Sequence, residues 1–211
     1  MDIRESYDSA AAAYARHLSE ELECKPLDRH LLNRFAEETR GRGLVADLGC
    51  GPGHVARYLS QQGVTIFGLD VSSRMVAIAR SSNPDLDFRV GDMRHLDVSA
   101  GRLAGVVLFY AIVHSDLTEL TPLFQEVRRV LVPGGLALVS FHIGDQLVHV
   151  DDLFGARVSL DFRYHMPDRV VGALRSANLE VIEHVEREPY GRAEYPSRRC
   201  YLVAALQVSR S

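Results

Sequence analysis

The chain of 211 residues is 46% hydrophobic and 25% charged, with a formal net charge of −4. That length and composition suit one globular domain that buries its own core, and exclude a disulfide-framed miniprotein or a disordered chain. The acidic balance, without a long Lys/Arg cluster, excludes duplex DNA or long RNA as the default partner, and no apolar run approaches the roughly 20 residues of a membrane span.

The N-terminus, Met1-Asp-Ile-Arg-Glu-Ser6, lacks a basic segment followed by an apolar one, so no signal peptide is expected and a cytoplasmic location is. Ala10 to Ala13 with Tyr14 favour a first helix. Lys25-Pro26-Leu27-Asp28 opens a second with Leu31, Leu32 and Phe35 on one face, stopped by Gly41-Arg-Gly43. Residues 44–47 read as a buried strand ended by glycines, and residues 52–59 as a helix with Pro52 in its first turn. Residues 64–69 form a second strand, and 72–80 a helix with Met75, Val76 and Ile78 toward the core. Strands follow at 86–90 and 103–110, a helix at 117–131 ending before Pro133-Gly134-Gly135, and a strand at 136–141. Residues 167–177 are helical, and 179–185 and 199–206 are the last two strands. Cys24, Cys50 and Cys200 are odd in number and far apart, which suits reduced thiols, each read as a small buried apolar side chain.

Strands alternating with helices imply an α/β fold, a doubly wound, mostly parallel sheet with helices on both faces. Ligands of such sheets sit beyond the carboxyl ends of the strands, where the winding reverses, so the loops after each strand are the informative places.

The first of these loops reads Asp47-Leu-Gly49-Cys-Gly51-Pro-Gly53-His54. Its glycines permit a tight turn and let a ligand approach the backbone, and the next helix aims free N–H groups and a positive dipole end at it. The spacing is G-x-G-x-G, not the G-x-G-x-x-G of dinucleotide sites. Asp47 is awkward beside a pyrophosphate and comfortable beside an ammonium, so the ligand is read as carrying an amino-acid tail. Asp70 closes the second strand, about 20 residues beyond the glycines, where an acid suits a bidentate grip on ribose; alternatively Asp70 or Ser72 only caps the next helix. After the third strand, Asp92 is placed to accept from an exocyclic amine and the Met93 N–H to meet a ring nitrogen, with Val71 and Met93 sandwiching the ring.

The segments VADLGCGPGHVARYL (45–59), IFGLDVSSRMV (66–76), FRVGDMRHLDV (88–98), GVVLFYAIVHSD (105–116) and RRVLVPGGLALVSFHIGD (128–145) resemble class I S-adenosylmethionine-dependent methyltransferases. More narrowly, they are similar to small single-domain bacterial members acting on small molecules. The resemblance implies a Rossmann-like seven-stranded sheet of order 3-2-1-4-5-7-6 with an antiparallel last strand, and S-adenosyl-L-methionine as cofactor. It assigns the methionine end to Asp47, Gly49, Cys50 and Gly51, the ribose to Asp70 and the adenine to Asp92 and Met93. The full expected cofactor wall is Tyr14, Asp47, Gly49, Cys50, Gly51, Asp70, Val71, Met75, Asp92, Met93, Phe109 and Tyr110.

A sulfonium already activates its methyl group, so the protein has mainly to align donor and acceptor, and a general base is optional. The fourth strand's end points to His114 as the base or orienting donor, or alternatively as a loop histidine capping the next helix. Phe141 and His142 are also expected to face the mouth. There is no Asn/Asp-Pro-Pro-aromatic motif, no Pro-Cys nucleophile, and Asp116 and Glu119 lack metal-ligand spacing, so no metal and a small-molecule acceptor are expected. Residues 1–40 are expected to form a helical lid on a core of 41–211 in which 144–166 is a lid insertion. Tyr7, Tyr14, Lys25, Arg29, Phe154, Phe162, Tyr164, His165, Arg192 and Tyr195 are the candidates for the roof, Phe154 and Phe162 equally for core. The expected protein is a monomer or homodimer that meets neither nucleic acid nor membrane. The alternatives are a nicotinamide dehydrogenase, opposed by the glycine spacing and the lack of Tyr-x-x-x-Lys, a non-catalytic cofactor-binding domain, and methylation of a peptide or protein.

Overall fold

The computed structural model describes residues 1–191 and 194–207. In chain order the elements are α1 (Ile3–Leu18), a 3-10 turn (Glu21–Cys24), α2 (Pro26–Thr39), β1 (Leu44–Leu48), α3 (His54–Gln61), β2 (Ile66–Asp70), α4 (Ser73–Ser82), β3 (Asp87–Val90) and β4 (Leu103–Phe109). A second 3-10 turn (Ala111–His114), α5 (Leu117–Val130), β5 (Leu131–His142), β6 (Leu147–Leu153), β7 (Ala156–Arg163), α6 (Pro167–Ser176), β8 (Leu179–Arg187) and β9 (Arg199–Leu206) complete it.

Seven strands form one sheet in the order β3-β2-β1-β4-β5-β9-β8. β9 runs antiparallel to both β5 and β8, and the remaining pairs are parallel. This is the expected order. β2 and β4 are buried at every position because helices cover both faces, which is why they read as unbroken apolar runs. On one face α2, α3 and α4 set Leu32, Phe35, Leu59 and Val76 against Val45 and Val107. On the other, α5 and α6 set Leu123, Phe124 and Leu174 against Val106, Leu108 and Val139. Leu123 and Phe124 are wholly buried, so truncating either to alanine costs about 2–5 kcal/mol.

Several expectations are corrected. Pro52 lies in the turn before α3, whose N-cap is Gly53 at φ 84°; a side chain at Gly53 would collide with Phe88, 2.7 Å away. β5 begins at Leu131 and runs through Pro133-Gly134-Gly135, since Leu131 pairs with Leu103 before the register shifts. Phe141 does not face the mouth: it is fully buried in the core, because alternate strand residues take opposite faces. Cys24 is exposed, whereas Cys50 and Cys200 are buried.

The segment expected as a lid over residues 1–40 divides in two. α2 is part of the core, while α1 lies across the strand tips, started by an Asp2–Glu5 capping box. Residues 144–166 contain the antiparallel hairpin β6–β7. α1 and the hairpin are joined by Ala10 packed on Val158 and Leu160, by Ser6 Oγ bonded to the Ser159 backbone, and by Ser9 Oγ donating to the Arg157 carbonyl at 3.1 Å. Together they form a roof beyond the carboxyl ends of the strands, above the crevice between β1 and β4 where the strand order reverses.

Candidate active site

Two adjoining cavities lie under this roof, of about 230 Å³ and about 580 Å³. Tyr7, Tyr14, Gly49, Gly51, Phe109, Tyr110 and Val113 line both, so they meet at a common wall. The smaller one continues past Asp70, Val71, Met75, Asp92, Met93 and His114, and the larger past Asp47, Cys50, His54, Lys25, His142 and Arg199. Every residue expected on the cofactor wall, and His114, therefore lines one cavity or the other.

The N–H groups of the glycine loop itself, ahead of the helix expected to face the ligand, already have partners. Gly49 and Cys50 both donate to the Leu69 carbonyl (2.8 and 3.0 Å), Gly53 donates to the Cys50 carbonyl, and Gly51 donates to Asp70 Oδ2 at 2.8 Å. Three of these donors are taken up by the end of β2 and one within the loop, leaving little to hold a pyrophosphate. Gly49, at φ 72°, is glycine because a Cβ there would sit 2.7 Å from that of Ala111. The close approach seen is to the second 3-10 turn.

Asp70 spans the turn, accepting from Gly51 N–H and from Ser72 N–H (2.8 Å each). The helix cap is a separate group: Ser72 Oγ accepts from Met75 N–H and donates to Asp8 of α1 at 2.6 Å. Burial raises the Asp70 carboxyl above its usual range in spite of the Ser72 and Gly51 N–H groups. Asp92 is occupied by Arg94, whose Nε and Nη2 reach it at 2.8–3.1 Å, and this lowers its carboxyl.

Asp47 is 1% exposed, and its Oδ2 has no hydrogen-bond partner among the described residues. Burial pushes its carboxyl up to about 7, against the pull of His54 and the Ala56 N–H. An unpaired buried carboxylate beside a cavity is costly unless a cation completes it. His54 Nδ1 is likewise without a partner among the described residues, while its Nε2 meets Glu21 at 2.8 Å. Against burial, His54 and Lys25 hold Glu21 down to about 2.

His114 is held from two elements. Its Nδ1 lies 2.9 Å from the Asp161 carbonyl of β7, which can only accept, so Nδ1 carries the proton and Nε2 accepts from the Tyr7 hydroxyl at 2.7 Å. Burial lowers its pKa against the Asp161 carbonyl, keeping the ring neutral. Tyr110, at φ 55°, bonds to the Tyr201 hydroxyl at 2.8 Å. Asp116 and Glu119 form the capping box of α5.

Of the roof candidates, Tyr14 meets the rings of Tyr7 and Phe154 edge-on at 6.0 Å, and Phe154 stacks on His17 at 4.4 Å. Phe154 and Phe162 line the larger cavity, not the sheet core, as do Lys25, Tyr164 and Tyr195. Arg29 instead holds the Leu22 and Glu23 carbonyls, and His165 is buried with Nε2 on the Ile112 carbonyl at 3.2 Å. Arg192 lies outside the described residues. Reading the sequence missed Glu21, Asp28, His54, Arg94, Arg187 and Glu194. Only the i,i+4 spacing of Glu21 and Lys25 carried a local signal. Among the described residues no helix is long and apolar enough to cross a membrane.

Residues 45–135 match a family model described as a methyltransferase domain. The chain is 34% identical over 99 residues to an uncharacterized methyltransferase of Synechocystis sp., covering 46% of this chain and 47% of that protein. It is 36% identical over 99 residues to the dTDP-3-amino-3,6-dideoxy-alpha-D-glucopyranose N,N-dimethyltransferase of Streptomyces fradiae, covering 46% and 38%. The matched segment thus spans about half or less of those relatives' length. The Burkholderia thailandensis 1,6-didemethyltoxoflavin-N1-methyltransferase, solved with 1,6-didemethyltoxoflavin and S-adenosylhomocysteine, superposes with a TM-score of 0.74 at 16% identity, over 98% of this chain and 88% of that one. Residues 45–135 thus resemble a methyltransferase domain, and the strand order is that of the Rossmann-like fold shared with the solved methyltransferase.

Proposed function

We propose that the chain transfers a methyl group from S-adenosyl-L-methionine to an oxygen, nitrogen or carboxylate of a small molecule in the cytoplasm. The observation that carries this is the common wall of Tyr7, Tyr14, Gly49, Gly51, Phe109, Tyr110 and Val113 between two cavities of different chemistry. The smaller is walled by Asp70, Asp92 and apolar faces suited to a nucleoside; the larger takes in Asp47 and Cys50 and has further room for a second molecule.

The residues present fit the cofactor. The unpartnered Asp47 Oδ2 suits its ammonium, the buried Asp70 its ribose hydroxyls, and Val71 and Met93 the two faces of its adenine. Cys50 lines the methionine end, Met75 and Phe109 pack behind the nucleoside, and Tyr14 and Tyr110 close the joint. When bound, the cofactor supplies a methyl group already activated by its sulfonium. The protein aligns the acceptor with that methyl and excludes water beneath α1 and the hairpin, where proximity and orientation are worth several kcal/mol. His114, with Nε2 on the Tyr7 hydroxyl, assists through Tyr7 where an acceptor must lose a proton. The closed roof favours a small molecule over a peptide, and no observation favours a non-catalytic domain. The free cysteines accord with a reducing compartment.

The test is incubation with methyl-labelled S-adenosylmethionine and a cell extract, with labelled products identified by mass spectrometry. A labelled small molecule formed only with active protein is expected; saturable cofactor binding with no labelled product would overturn the catalytic reading.

A further inference from the structure

The larger cavity has an apolar end, walled by Val148, Val150 and Phe162 of the hairpin, and a polar end formed by Lys25, His142, Tyr164, Glu194, Tyr195 and Arg199. The hydrogen-bonding capacity of the polar end is one-sided. Glu194 is 1% exposed at its side chain, and both its oxygens are taken: Arg187 reaches them at 2.6 and 2.8 Å, the Tyr190 N–H donates at 2.8 Å, and Lys25 lies 3.3 Å away. Beneath it, Asp28 accepts from Tyr201 on one oxygen and from Arg187 on the other, at 2.8 Å each. An incoming cation or hydroxyl donor finds no open carboxylate there.

Donors are left over. Arg199, 2% exposed, gives its two Nη groups to the Ser197 and Tyr195 carbonyls. Among the described residues its Nε has no partner in hydrogen-bonding geometry, although Glu194 Oε1 lies 3.2 Å away. Lys25 Nζ is bonded to Glu21 at 2.5 Å, approaches Glu194, and has a third N–H beyond these two. Three cations, Lys25, Arg187 and Arg199, converge on Glu194 and Asp28, while Glu21 divides itself between Lys25 and His54. Three cations face three carboxylates, and beside them burial, then Arg199 and Lys25, push the His142 imidazole down to about 4, so it adds no further charge. Unused donors on buried cationic side chains are satisfied by an anionic acceptor, through charge-assisted hydrogen bonds.

We propose that this end of the cavity recognises a carboxylate carried by the methyl acceptor, whose apolar body lies against the hairpin. Lys25 and Arg199 are thus specificity-determining residues for the transfer proposed above, on which this inference rests. The anionic group anchors the acceptor at the polar end, and the atom to be methylated reaches the wall shared by the two cavities.

The experiment is calorimetric titration of the full chain, saturated with S-adenosylhomocysteine, with 2-naphthoate, 2-naphthalenemethanol and 2-naphthylmethylamine. These probes share one apolar body and differ only in an anionic, neutral or cationic head. Naphthoate is expected to bind at least tenfold more tightly than the alcohol, with no binding of the amine, and Lys25→Met is expected to weaken naphthoate at least tenfold. Arg199→Lys, which keeps the charge and removes the Nε–H, is expected to weaken it several-fold; should that variant not fold, Lys25→Met carries the test. Equal or tighter binding of the alcohol or amine, no naphthoate binding, or naphthoate affinity unchanged in Lys25→Met each overturns the proposal. Naphthoate that binds only without S-adenosylhomocysteine and competes with it assigns the donors to the cofactor's own carboxylate, and also overturns the proposal. Failure of S-adenosylhomocysteine to bind the unmodified chain is a different result, and removes the proposed function itself.

Discussion

Replacing Asp47 by asparagine separates what this carboxylate costs the fold from what it does for a ligand. Its usual pKa is 3.8, and burial lifts it to about 7 in the folded chain. The folded state therefore binds this proton more tightly than the unfolded one. Below about pH 4 the group makes no difference; between there and about pH 7 stability falls as pH rises, and above that the loss is constant. At ~1.4 kcal/mol per unit the full loss is about 4 kcal/mol for the ligand-free protein. The asparagine amide carries no charge but still leaves a polar atom unpaired, so a net gain of about 2 kcal/mol at pH 8 is expected. For a chain of this length that raises the melting temperature by about 4–8 °C. With ligand the sign reverses. Asp47→Asn is expected to bind S-adenosylhomocysteine at least tenfold more weakly, while 5′-methylthioadenosine, which lacks the amino-acid tail, binds within twofold of the unmodified protein. For the unmodified protein, S-adenosylhomocysteine affinity is expected to rise from pH 6 to 8 as Asp47 ionises, and methylthioadenosine affinity to stay flat. Thermal melts and calorimetry across pH measure both halves. A less stable ligand-free variant at pH 8, or equal losses for the two ligands, would refute the reasoning.

Other perturbations address the remaining parts of the site. Asp70→Ala removes the acceptor shared by the Gly51 and Ser72 N–H groups as well as the proposed ribose grip. Affinity for both S-adenosylhomocysteine and methylthioadenosine is expected to fall at least tenfold, by calorimetry. Arg187→Met leaves Asp28 and Glu194 buried without their main cation, and is expected to cost about 3–5 kcal/mol, read as a lowered urea midpoint. Tyr7→Phe removes the hydroxyl that donates to His114 Nε2 and favours its neutral ring, so the His114 pKa is expected to rise in an NMR titration.

The parallel core was legible because its chemistry is local. β9 is found where its apolar run predicts, and β1 to β4 within about two residues, since strands buried on both faces are apolar runs closed by glycine or acid. The β6–β7 hairpin carried its signal in the alternation of Val148 and Val150 with His149 and Asp151, and in the Phe154-Gly155 turn, but the interspersed charges read as a loop. α2 looked like a lid because position in the chain says nothing about which face a helix covers; Leu32 and Phe35 settle that only once the sheet is present. Acids and glycines at the strand tips were readable as a set because the alternation of elements brings those tips together. The polar end of the larger cavity was not. Asp28 meets Arg187 and Tyr201 across more than 150 residues of chain, and no local pattern connects them. Where a candidate residue was named, its partner stayed hidden: the loop N–H groups turn inward, Arg94 occupies Asp92, and Tyr7 occupies His114.

The most direct measurement is a calorimetric comparison of S-adenosylhomocysteine and NADH on the unmodified chain. Strand-tip acids and a glycine loop whose amides are already bonded predict saturable one-to-one binding of S-adenosylhomocysteine and no binding of NADH. Heat from NADH with none from S-adenosylhomocysteine would contradict the account.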